Sequence, residues 1–181
     1  MQGNVRTSLF RPELLKRIVI YGLLILVLGS AQCSFFPILK ICPMTPDIIM
    51  GMLLAITLID SPKSAAVTAL AAGCFLDAVG AGAITVAPIV YLLFVIFISL
   101  FSHKMLTGFA SYAILLLPML LYRALATAVC ITLADRALTP IGEIWGVILP
   151  EMITTALLCL PIYFLVRLCT VPLETHGKFT F

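Results

Sequence analysis

Charge is what this 181-residue chain has least of. Only 10% of its residues are Asp, Glu, Lys or Arg, against roughly 25% in soluble domains. A water-facing surface cannot be built from so few charges. That excludes an ordinary soluble enzyme, a nucleic-acid binder and a secreted disulfide scaffold, each of which needs polar surface. Histidine is nearly absent: His103 and His176 sit in separate polar segments with no acidic or thiol partner beside them in sequence, so both read as solvated or headgroup-facing residues. The six cysteines, Cys33, Cys42, Cys74, Cys130, Cys159 and Cys169, never come within the two to four residues of one another that metal clips use. They read as small apolar packing residues, with a Cys33–Cys42 bridge near one membrane face left open. There is no Ser/His/Asp arrangement and no glycine-rich phosphate loop beyond Gly80-Ala81-Gly82. The expectation is a protein without catalysis, metal or cofactor.

What is present is hydrocarbon. Hydrophobic residues make up 62% of the chain, and the mean hydropathy is +1.21. The apolar residues fall in runs long enough to cross a bilayer, which needs about 20 residues of helix. Residues 18–36 form the first run, behind Arg6, Arg11, Lys16 and Arg17. A loop broken by Pro37, Pro43 and Pro46 leads to residues 48–59, a short or tilted span opening at Asp47. Residues 64–79 and 83–101 follow, divided at Gly80-Ala81-Gly82. Residues 109–134 hold Pro118 and Arg123, and residues 145–170 close the series. The expected fold is therefore all-α: a polytopic six-helix transmembrane bundle at 18–170, with a basic cytoplasmic segment at 1–17 and a cytoplasmic tail at 171–181.

Six spans put both ends of the chain on one side, and the positive-inside rule gives the side. With the N-terminus inside, the inner face collects Arg6, Arg11, Lys16, Arg17, Lys63, Lys104, Arg167 and Lys178, and the outer face only Lys40 and Arg136. A cleavable signal peptide fits poorly. The first run is longer than the 7–15 residues of a signal h-region, and Gln32 stands where a lipoprotein signal wants a small residue before Cys33.

Two constellations stand out. Ala65, Ala69, Gly73 and Asp77 recur at every fourth residue of the third run, with Thr68 and Ala72 beside them. One helix face is thus a strip of small side chains ending in a carboxylate, a surface on which another membrane helix can pack closely. The strip serves packing within the chain or the binding of a partner. The second constellation comes from ionisable residues inside apolar runs, which are costly to insert and so turn toward protein or water. Arg123 lies mid-run, Glu151 follows Pro150, and Asp47 and Asp77 lie at the ends of their runs. The four are expected to converge in a polar pocket toward the outer face, unless Asp47 and Asp77 only cap their helices at the headgroups.

With its basic start, first span ending near Gln32, Pro46-Asp47 entry to the second span, Gly73 to Asp77 closing the third, Gly82, and an aromatic-bearing fourth span, the chain resembles the bacterial rod-shape-determining membrane protein MreD family. The resemblance runs from about Lys16 to Arg167 and is strongest over 46–93. It implies a non-catalytic scaffold of the elongasome in the bacterial cytoplasmic membrane. Such a scaffold binds the single-span protein MreC and helps couple MreB filaments to the cell-wall synthases. The family's fold is similar to the substrate-binding S components of energy-coupling-factor vitamin transporters, which supplies the alternative reading. The first span of this chain carries bulky aliphatic residues rather than an alanine-spaced motif for a transporter partner, which favours the scaffold.

Overall fold

The structure, a computed structural model, describes residues 12–35, 38, 45–80, 86–102, 108–135 and 141–174. They form six α-helices and no strand: α1 (Pro12–Ser30), prolonged by a π-helical turn at Ala31–Phe35, α2 (Ile48–Ile59), α3 (Pro62–Val79), α4 (Ala87–Ser102), α5 (Phe109–Asp135) and α6 (Ile141–Glu174). Each apolar run is helical over its described residues. The boundaries differ in places. The first helix starts at Pro12, so Lys16 and Arg17 ride on its early turns, and the fourth starts at Ala87, with Pro88 in the first turn where a missing N–H costs nothing.

Local chemistry sets the tight junction between α2 and α3. Asp47 caps α2, its carboxylate accepting the Met50 N–H at 3.2 Å. After twelve helical residues the helix stops at Asp60. Ser61 then caps α3 by accepting the Ser64 N–H at 3.2 Å, with Pro62 at the first helical position.

The contacts between helices show an alternating arrangement. The start of α1 meets the end of α2 through an Arg17–Asp60 ion pair, and its far end meets the start of α2 where Gln32 Oε1 accepts the Ile49 N–H at 3.3 Å. Gly73, late in α3, lies on Pro88 at the start of α4. Phe109, at the start of α5, packs on Tyr163 well along α6, with ring centroids 5.5 Å apart. The Asp47 N–H donates to Thr155 Oγ1 and Gly51 lies on Cys159, so α2 and α6 run parallel. Hence α2, α4 and α6 begin at the end of the bundle where α1, α3 and α5 finish. The start of α1 and the end of α6 share the opposite end.

The shortest helix is the centre. Every residue from Ile48 to Leu58 is buried, and α2 packs against all five other helices. A helix that is apolar on every face can rest only in a place without water. The other five helices are apolar on the outside instead. Ile114, Leu117, Leu121 and Leu125 form an exposed row along α5, and Leu15, Ile18, Val19, Leu23, Leu26 and Val27 do the same on α1. Exposed apolar area so continuous marks an interaction surface. Among the described residues three helical stretches, Leu15–Phe35, Phe109–Val129 and Ile148–Thr170, are long and apolar enough to cross a membrane; Ile48–Ile59 and Ala87–Phe101 are shorter apolar helices. These are the features of a membrane protein.

The small-residue strip is used inside the chain. Ala65 and Ala69 are wholly buried, as are Thr68, Ala72 and Gly73, where α3 meets α2 and α4. At Gly73 a Cβ would overlap the backbone of Pro88, so only glycine permits this approach. Of the two uses left open by the sequence, the strip as it stands serves packing within the chain; its buried members present no surface to a partner.

Candidate functional site

The first turn of α2 carries Asp47 into the interior, where its side chain is fully shielded from solvent. An aspartate is favourable here because the free N–H groups and the positive end of the helix dipole lie beside it. Three other helices converge on it. From α5, Arg123 places Nη1 3.2 Å from Asp47 Oδ2 and donates from Nε to Glu151 Oε1 at 3.0 Å. From α4, the Tyr91 hydroxyl shares its proton between the two Asp47 oxygens, at 3.1 and 3.2 Å. From α6, Glu151 and Thr155 stand one turn apart on the same face, and the Thr155 hydroxyl accepts the Asp47 N–H at 3.3 Å. Glu151 is 2% exposed and Tyr91 4%, whereas the Arg123 side chain keeps 24% of its surface open.

The cluster contains two carboxyl groups and one guanidinium, with the head of α2 adding partial positive charge. A single buried carboxylate or guanidinium would cost several kcal/mol unpaired. Here each is joined to the other by direct contacts, and together they tie α2, α4, α5 and α6 at one level of the bundle. One turn beyond Arg123, Thr127 is buried and its hydroxyl has no partner among the described residues. Neither a nucleophile paired with a base nor a group of three or more metal-binding side chains occurs among the described residues. The arrangement is built to hold helices in register.

Three of the four residues expected to share a polar pocket come together, Arg123 bridging Asp47 and Glu151. Asp77 is not with them. It lies half-buried on the last turn of α3, following a strip that packs on the start of α4, and it forms no ion pair among the described residues. The expectation of a four-residue pocket is corrected to a triad. Tyr91, Thr155 and Gln32 complete the polar shell and were not singled out in the sequence. Thr155 was within reach of such reading, because it follows Glu151 at helical spacing, and Gln32 is a lone amide inside an apolar run. Tyr91 gave no signal, since a tyrosine in an apolar helix is ordinarily core. Among the described residues, Cys33, Cys74, Cys159 and Cys169 form no disulfide. Cys42, His103 and His176 lie outside the described residues, as does the Cys33–Cys42 question.

Set against family models, curated proteins and solved structures, the chain matches none.

Proposed function

We propose that the chain is a non-catalytic scaffold of the bacterial cytoplasmic membrane, with six helices crossing the bilayer and both ends of the chain in the cytoplasm. On this reading it belongs to the machinery of rod-shape maintenance. It holds the single-span MreC and thereby helps couple MreB filaments to the peptidoglycan synthases. The sequence resemblance to the MreD family is the observation that carries the reading. Its support in the structure is the use to which polar groups are put: Asp47, Arg123, Glu151, Tyr91 and Thr155 bond to one another across helices, leaving an exterior of aliphatic side chains suited to lipid and to partner helices.

The alternative, a substrate-binding S component of an energy-coupling-factor transporter, draws on the partly exposed Arg123 side chain. Depletion in a rod-shaped host separates the two. Rounded cells, with MreC recovered on affinity purification, are expected. Normal shape with impaired vitamin uptake and co-purifying paired ATPases would replace the scaffold by the transporter. Reporter fusions test the topology: one after Lys104 is expected inside and one after Arg136 outside. A cytoplasmic reporter at Arg136 would remove the fifth span.

A further inference from the structure

At the end of the bundle opposite the ion cluster, α1 and α3 separate and leave a groove of about 500 Å³ between them. The two helices are close at their far ends, where Gly29 lies on the Phe75 ring. Near their starts, Ile18, Gly22 and Ile25 on α1 face Val67 and Ala71 on α3. Gly22 creates the opening, since a Cβ built on it would meet nothing within 4 Å. The polar atoms along the walls are already engaged. Tyr21 donates to Asp60 at 2.9 Å, Thr68 donates to the Ser64 carbonyl at 2.7 Å, and Ser64 shares a hydrogen bond with Ser61 at 3.0 Å. The interior of the groove is thus hydrocarbon. Its mouth is basic: Arg17 and Lys63 both line it. Asp60 offsets Arg17, while Lys63 is exposed and has no ion-pair partner among the described residues.

We infer that this groove is a binding site for one anionic phospholipid, with an acyl chain along Gly22 and Val67 and the phosphate held at Lys63 and Arg17. The dimensions suit that occupant. From Lys63 to Ala71 the groove wall rises about 12 Å along α3, close to half of the roughly 30 Å hydrocarbon thickness, which is the depth of one leaflet. The basic residues then stand at headgroup level, where each attracts anionic lipid. A chain buried between two helices exchanges less readily than one on a flat helix face. The bound lipid would fill the gap and hold α1 against the bundle. The inference needs only the membrane location and is independent of the scaffold reading.

The test uses the full chain reconstituted in nanodiscs of equal phosphatidylglycerol and phosphatidylcholine, with retained lipid counted by native mass spectrometry after extraction. The wild type is expected to keep one phosphatidylglycerol in preference to phosphatidylcholine. Lys63→Gln should lower that preference about fivefold, the effect of one basic residue at an anionic surface. Gly22→Leu fills the groove where nothing stands to clash, so retention of either lipid should fall to background while the unfolding midpoint does not fall. Undiminished retention by a folded Gly22→Leu variant, or an unchanged headgroup preference in Lys63→Gln, would overturn the site. So would photo-crosslinking from position 67 that captures a protein helix in native membranes instead of lipid.

Discussion

Arg123 and Asp47 meet 3.2 Å apart at the head of the buried helix α2, and Glu151 takes the other side of the same guanidinium. Removing the arginine leaves two buried carboxyl groups facing each other without their shared donor. Arg123→Met is therefore expected to lower stability by about 3–5 kcal/mol, the range for breaking a buried pair by deleting one partner. Adding Glu151→Gln to that variant should return part of the loss. Denaturant titration in detergent, read as a double-mutant cycle, checks both; additive losses would show that the residues act separately.

Tyr91→Phe keeps the ring and deletes the hydroxyl that Asp47 accepts. One hydrogen bond to a carboxylate is at stake, so a loss of about 1.5–3 kcal/mol is expected in the same titration. A silent substitution would mean that Arg123 alone satisfies the carboxylate.

Thr127→Val should work in the opposite direction. The hydroxyl is buried with no partner among the described residues, and exchanging it for a methyl group removes the desolvation cost of an unmatched polar atom. A gain on the order of 1 kcal/mol is expected. A loss would reveal that the hydroxyl has a partner.

Gly73→Ala and Gly22→Ala form a contrasting pair. The new methyl group overlaps the Pro88 backbone at the first site and enters open space at the second. Overpacking at Gly73 should cost about 1–3 kcal/mol. At Gly22, alanine's better helix propensity should stabilise by about 0.5–1 kcal/mol. Equal melting shifts for the two variants would contradict the close α3–α4 approach.

Much of this architecture was legible from hydropathy alone. All six helices fall where apolar runs lie between proline, glycine and charge, because each run must satisfy its own backbone once water is excluded. The triad was largely legible too, since an ionisable group inside such a run has to find a counter-group. Depth in the bundle was not legible. Residues 48–59 read as the least convincing span by length, yet burial on every side relieves that helix of the need to match the bilayer. Asp77 misled for a related reason. Helical spacing tells which face of α3 it shares but not which neighbour that face meets, and the neighbour is the start of α4. Arg17 with Asp60 was equally invisible, being a pairing between two segment ends that only the antiparallel approach of α1 and α2 brings together.

The central position of α2 also bears on how the protein is made. Helices leave the ribosome in chain order, so α2 is synthesised well before α5 and α6, which supply Arg123, Glu151 and Thr155 to its first turn. At about 18 Å long, it is too short to settle alone across hydrocarbon, and until α5 arrives the Asp47 carboxyl lacks the Arg123 guanidinium it pairs with. Closure of the bundle around α2 thus waits for helices made well after it. A chain cut short before α5 would leave an unpaired acid in the membrane interior, a mark by which an incomplete product can be told from a finished one and removed.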